Sequence, residues 1–453
     1  TVHVEVLEEA TLKSIPCRIT IVDERNALFP VHPMEAEKLT VRPGVLYSGN
    51  GKVTFGLSEG NYQLFASRGF EYSVARYSLK VTKGLYQNIS LTIKREVDTE
   101  GWIASDTHIH TRTFSGHGDA MINESMLSIA GEGIELAVAT DHNHHTDFAE
   151  SAQSMAVDKE FTSVIGNEVT TKVGHFNVFP VLPDSPLPDH NLTHWGELMS
   201  SMRKTPGVRV IVLNHPRNIH SQFSPMASKL FDQDTGIHKF ASALTFDAME
   251  LVTSAALQTD LLKVYRDWFA LLNRGHRLVG VGSSDTHDIS RYILGQGRSY
   301  LRVEDSDPSQ ISIEEACNAL LDGRVLISMG LWVNMQVMDT FEVGDTVDQL
   351  PELIPVDIQV QGPSWVAADE VCLYLNGKVI RRQSIAPHKT PIEKVRIRWN
   401  IPKPTKNSYL VAIAQGPGVT EPFWVIPRPY QHKSIHYTPR VIGSTNPIWL
   451  SVD

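Results

Sequence analysis

The chain has 453 residues, a formal net charge of −10, 42% hydrophobic and 20% charged residues; this is the balance of a soluble globular protein with room for two or three cores. An acidic chain is a poor non-specific nucleic-acid binder, which needs a basic stripe to displace counterions, and no apolar run approaches the roughly 18 residues that span a bilayer. Three scattered cysteines, Cys17, Cys317 and Cys372, have no C-x-x-C spacing, so any metal must be held by His, Asp and Glu.

Residues 1–97 alternate apolar and polar positions in short runs such as Cys17-Arg-Ile-Thr-Ile-Val and Ile89-Ser-Leu-Thr-Ile, punctuated by Gly and Pro. That pattern predicts a small β-sandwich. The start at Thr1, the N-terminal β pattern and the few cysteines favour a periplasmic or secreted protein over a cytoplasmic one.

Residues 98–325 change character. Strand-like runs (Leu136-Ala-Val-Ala, Val208-Arg-Val-Ile-Val-Leu, Leu278-Val-Gly-Val) alternate with helical ones, the clearest from Leu257 to Arg274 with Gly275 as its stop, and Ser312 to Glu315 reads as a capping box. Alternation of this kind predicts an α/β parallel sheet or barrel. From 326 to 453 the β pattern returns, with Asn376-Gly377 as a two-residue hairpin turn, and predicts a second sandwich-like domain.

Of 19 histidines, 14 lie between Gly101 and Tyr300. They come in motifs at the ends of successive apolar runs: Asp106-Thr-His108-Ile-His110, Thr140-Asp141-His142-Asn143, Gly-Asn-Glu168-Val, Gly-His175-Phe-Asn, Leu-Asn-His215-Pro and Ser284-Asp285-Thr-His287. One His-x-His pair means little, because alternate residues of any strand share a face. Six motifs in one segment, placed where a barrel would gather them at one rim, point to a polynuclear metal site. Asp106 and Asp141 are expected to orient ligand imidazoles, Glu250 to be a buried partner of the site, and Arg217 and Arg291 are candidate anion clamps.

In these motifs the 98–325 segment resembles the polymerase-and-histidinol-phosphatase (PHP) metallohydrolases, and within them the CehA/McbA type. The resemblance implies a distorted β/α barrel, here flanked by N- and C-terminal β-sandwich-like domains, with up to three metals. It implies His108, His110, Glu168 and Asp285 at the first ion, Glu168 bridging to a second held with His175 and His215, and His142 and His287 at a third. Many members supply a further ligand to the third from an Asp in the loop after the first motif. That loop here reads Thr111-Arg-Thr-Phe-Ser-Gly-His117-Gly-Asp119, and His117 is the expected substitute.

The expectation is a hydrolase with two or three divalent ions (Zn, Mn or Fe), a metal-bridging hydroxide, Glu168, Asp285 and His215 at the reaction centre, and a small-molecule substrate. A phosphoester is preferred, since clustered cations with Arg217 nearby favour an anionic group. A carbamate or aryl ester is the alternative, and a glycan- or partner-binding protein with a vestigial barrel the second alternative. Oligomeric state is open.

Overall fold

The computed structural model describes residues 1–35, 37–304, 307–386, 391–431 and 436–452. It is a mixed α/β molecule, rich in strands, with several sheets and few helices. Among the described residues no helix is long and apolar enough to cross a membrane.

The first strand shows how the N-terminal part forms. Val2, Val4 and Val6 are buried while His3 and Glu5 between them are not, the period-two pattern of a strand with one face on a core. Nine strands from Val2 to Ile93 make a four-stranded and a five-stranded sheet that share one apolar core, including Val4, Ile19, Phe55, Leu64 and Leu91.

Eight strands surround the histidine motifs: Trp102–Ile109 (β1), Leu136–Ala139 (β2), Thr162–Ile165 (β3), Asn167–Thr171 (β4), Gly174–Phe179 (β5), Val210–Leu213 (β6), Ala248–Thr253 (β7) and Val279–Ser283 (β8). They fall into two sheets, β3-β2-β1 in parallel and β4-β5-β6-β7-β8 in mixed order. The sheets meet at both edges through single bridges, Ile109 with Thr286 on one side and His142 with Glu168 and Thr146 with Gly166 on the other. Continuous ladders therefore do not close a barrel among the described residues.

The expected border between the middle and C-terminal segments runs through a continuous sheet. β1 pairs with Arg298–Arg302, which pairs with Val325–Met329, and that strand pairs with Arg440–Thr445 from the far end of the chain. Strands Ser408–Pro417, Glu370–Leu375 and Lys378–Ser384 follow. Asn376 and Gly377 turn between the last two with φ of 50° and 77°, the left-handed pair that a two-residue hairpin requires.

The helix expected from Leu257 begins only at Lys263 and ends at Asn273. Asp260 delays it: its side chain accepts from Leu262 N and its carbonyl from Lys263 N, an Asx turn that competes with helix. Gly275, at φ 90°, stops it as expected. At the second predicted helix, Ser312 caps Ile313–Leu321 by accepting from Glu315 N.

Candidate metal centre

His108 and His110 sit two residues apart at the end of β1, so both rings point into the space between the sheets, fully buried. His108 Nδ1 lies 2.7 Å from Glu250 Oε1. Burial pushes the Glu250 carboxyl up, but His108 beside it and hydrogen bonds from His108 and Ser283 bring it down to about 2, so it accepts and Nδ1 carries the hydrogen. Ser115 gives its single hydrogen to Asp141 Oδ1 at 2.6 Å and therefore accepts from His110 Nδ1 at 3.1 Å.

In the neutral tautomers so fixed, both Nε2 lone pairs face inward, 3.0 Å apart. Glu168 Oε1 is 3.2 Å from His108 Nε2, and Asp285 Oδ1 is 3.3 Å from each Nε2. Four electron-rich atoms thus converge with no hydrogen among them. Only a metal ion or a captured proton satisfies such a set. Burial lowers the His108 pKa, but Glu250 and Asp285 outweigh it and hold the ring well above its ordinary value, so the surroundings demand positive charge at this point.

Glu168, at the start of β4, is the hub. Its Oε1 lies 3.2 Å from His175 Nδ1 and 3.4 Å from His215 Nε2, and its Oε2 lies 2.5 Å from His142 Nδ1. Burial alone would raise its pKa, yet the surrounding imidazoles hold it well below the usual carboxylate range. Asn214 Nδ2 donates to Oε1 and Thr170 Oγ1 to Oε2, each at 2.9 Å, which fixes the plane of the carboxylate. Asn214 is itself held by Asn177, whose side-chain amide donates to Thr107 O in β1. Sequence reasoning missed both asparagines, although Asn177 shares a strand face with His175 and Asn214 immediately precedes His215.

His215 and Asp285 have φ of 24° and 53°, a region that side chains other than glycine avoid. Such strain costs on the order of 1–3 kcal/mol per residue and persists where neighbours over-determine it. Here His215 N donates to Glu250 Oε2 at 2.6 Å and Asp285 N to His108 O at 2.9 Å.

Two further groups adjoin this one, His110 with His142 and His287, and His175 with His215 and His220, each bringing ring nitrogens within 4.8 Å of one another. His142 Nε2 and His287 Nε2 are 3.4 Å apart. His175 Nδ1, close to Glu168 Oε1 at 3.2 Å but not aligned for a hydrogen bond, and His220 Nε2 are both shielded from solvent without a hydrogen-bond partner. Buried polar atoms are normally satisfied, so orphaned imidazole nitrogens beside Glu168 fit a metal-binding donor set. His142, His175, His215, His220 and His287 line a cavity of about 700 Å³ whose wall also includes Asp288, Arg291, Tyr292 and Tyr430.

Four expected roles change. His117 is exposed, with its ring stacked on those of His142 and His287 at 5.0 and 4.5 Å; His110, deeper on β1, is the residue grouped with that pair. Asp106 orients no imidazole. Its carboxylate accepts from the backbone of His108, Ser284 and Gly295, because a side chain this short at that depth reaches the amides joining β1 to β8; burial, opposed by those bonds, raises its pKa to about 6. Asp141 binds Thr111, Ser115 and Thr146 and reaches His110 only through Ser115. Arg217 turns away from the cavity to Asp267, at 2.6 and 2.5 Å, leaving Arg291 as the arginine on the cavity wall. Glu250 lies against His108 as a buried partner, and His220, five residues beyond His215, went unread because it follows the strand end that marks the motif.

No family model and no curated protein matches the chain. Two solved structures similar to it are a β-glucuronidase 3 of Bacteroides uniformis, at 11% identity and a TM-score of 0.19, and a β-glucuronidase of Parabacteroides merdae, at 10% identity and 0.20. The matches cover 96% and 97% of this chain and 59% and 60% of those enzymes, so the chain spans about three fifths of their length. Scores this low establish no common fold.

Proposed function

We propose that the chain is a metal-dependent hydrolase that holds two or three divalent ions and acts on a phosphoester. The observation that carries this reading is the meeting of His108 Nε2 and His110 Nε2 at 3.0 Å with Glu168 and Asp285 oxygens beside them. In this reading β1–β8 form a distorted barrel opened at two edges, and Glu168, whose Oε1 faces His108, His175 and His215 and whose Oε2 faces His142, would serve more than one ion. His108, His110 and Asp285 would hold one ion, His175 and His215 the next, and His142 and His287 a third. Bound ions of this class would supply positive charge and an acidified water at neutral pH.

The protein's own part is orientation. Glu250 holds the His108 ring and the His215 backbone, while Asn214 and Thr170 keep Glu168 from turning. A phosphoryl group gains more from clustered cations than a neutral carbonyl does, and Arg291 adds a cation on the cavity wall. A carbamate or aryl ester is the second reading, favoured by Tyr292 and Tyr430 on that wall, which suit a flat apolar leaving group.

Elemental analysis of protein purified without chelator, followed by assay on p-nitrophenyl phosphate, its bis-ester and 1-naphthyl N-methylcarbamate, tests both readings. Two or more ions per chain with phosphoester turnover are expected. A metal content at background that Zn²⁺ or Mn²⁺ does not raise would sink the proposal, and carbamate turnover alone would select the second reading.

A further inference from the structure

We propose that His220 is a fourth protein ligand at the ion position of His175, His215 and Glu168; this rests on the metal-binding reading above and deepens it. The His220 ring stands 4.3 Å from that of His175 and 4.8 Å from that of His215, centroid to centroid. The three rings are not mutually parallel, the interplanar angles being 31°, 48° and 76°, so they do not stack into one apolar pile. One nitrogen from each falls within 4.8 Å of the other two. His220 Nε2 and His175 Nδ1 are both cut off from solvent with no hydrogen-bond partner. The His220 ring borders the cavity, yet its Nε2 is shielded from solvent.

The backbone gives the ring little freedom. His220 and Phe223 exchange both backbone hydrogen bonds, at 2.9 and 2.8 Å, across Ser221 and Gln222 with φ of 49° and 65°, a tight turn of the kind that joins hairpin strands. The loop leading to it is fastened from the far end of the chain. Asn218 Nδ2 donates to Tyr430 Oη at 2.7 Å, Gln258 Nε2 donates to Asn218 Oδ1 at 2.8 Å, and Ile219 exchanges two hydrogen bonds with the Gln431 side chain. A ring on a loop held this closely is placed for a partner.

Three imidazoles and one carboxylate oxygen would fill a four-coordinate ion, whereas His108 and His110 meet two carboxylates. The two positions therefore differ in donor softness. The nitrogen-rich one favours Zn²⁺ and Co²⁺, and the oxygen-richer one accepts Mn²⁺ more readily.

The test is Co²⁺ titration of the chelator-stripped full chain as wild type, His220→Ala, His220→Gln and His175→Ala, reading bound ions by elemental analysis and ligand field by visible absorption. Wild type is expected to take at least two Co²⁺. Both His220 variants should keep one ion and bind the next at least about tenfold more weakly, with weaker visible bands for that equivalent, as in His175→Ala. Equal melting of the metal-free variants and wild type excludes a folding defect. Should His220→Ala melt early, the wild-type-like fold of His220→Gln carries the comparison. Wild-type affinity and spectrum in the His220 variants, with loss only in His175→Ala, overturns the assignment and leaves the hydrolase reading intact. Wild type that binds no Co²⁺ overturns both.

Discussion

The inner and outer halves of the histidine cluster are built differently. His108, His110 and Glu168 lie on or beside strands, wholly buried, with the second atom of each side chain already committed: to Glu250, to Ser115, and to Thr170 and Asn214. His117, His220 and His287 stand on loops at the cavity; Nδ1 of His117 and of His287 meets a carbonyl oxygen of its own loop, and Nε2 of His287 faces His142. Protonation follows the neighbours rather than depth: burial with His287 and His142 alongside holds His110 well below the ordinary imidazole value. Despite its desolvation cost the pKa is raised at His108 by its carboxylate neighbours, whereas burial brings His287 down to about 4 and His220 to about 3. A group held on both sides would keep its aim without an ion, and one held on a single side would be freer to turn.

The sharpest break of this contrast is at the hub. Glu168→Gln keeps shape and removes the charge that lets two cations approach, so it should remove at least one ion per chain and lower turnover by roughly a thousandfold. Elemental analysis beside kcat measures both, and a variant with full metal content and activity would refute the shared carboxylate. Next comes Glu250→Gln, in which His108 keeps its place on β1 but loses the charge that holds its proton on Nδ1. Ion affinity should fall by about 10- to 100-fold with little change in fold, read by competition with a chromogenic chelator.

Arg217→Ala probes a region outside the centre. The Arg217–Asp267 pair is largely buried, and removing one partner strands the other, a loss on the order of 3 kcal/mol. Urea unfolding should register it while KM for an anionic substrate stays as it was. A raised KM with unchanged stability would return Arg217 to the site.

Most of the clustered histidines were legible in the sequence and the partners that hold them were not, for a physical reason. Strand period brings His108 and His110 to one face, and a polar motif at the end of an apolar run marks a rim, so the ends of β1, β2, β6 and β8 announce the residues that gather there. What a carboxylate does there depends on which donor lies within reach. Asp106 met three backbone amides, and Arg217 met an aspartate 50 residues on. Glu250 is 142 residues from His108, and Tyr430 is 212 from Asn218; no spacing rule spans such distances. The loop beyond His215 has no period at all, so nothing in the sequence marks His220. The single sheet linking residues before and after Val325 was hidden for the same reason, its joining partner lying at Arg440–Thr445.

A smaller effect follows from pH. Burial lowers the pKa of His142 and His215, but Glu168 outweighs it in both, and His108 is likewise raised. Groups with raised folded values stabilise the metal-free protein below the ordinary imidazole pKa, about 6.5, and that contribution is lost as pH rises through the folded values. Ions compete with the same protons. Ion affinity should therefore strengthen as pH rises from about 6.5, and the stability gained on adding Zn²⁺ should widen over the same range. Calorimetric titration in buffers of different ionisation enthalpy counts the protons released, and a value of zero would refute the exchange.

The smallest effect belongs to His117. Its ring stacks on His142 and His287 rather than aiming a nitrogen between them, and its Nδ1 is 3.2 Å from Ser115 O. Removing it widens the cavity mouth without taking a donor from the His110, His142 and His287 group. His117→Ala should then keep its metal content and lose less than about tenfold in turnover, an effect of under about 1.4 kcal/mol on the barrier. His287→Ala is the matched comparison, because His287 belongs to that group and its Nε2 faces His142. Loss of an ion in His287→Ala with none lost in His117→Ala would place the outer boundary of the centre between two neighbouring rings. Equal loss in both would return His117 to the ligands and erase the contrast on that side of the cavity.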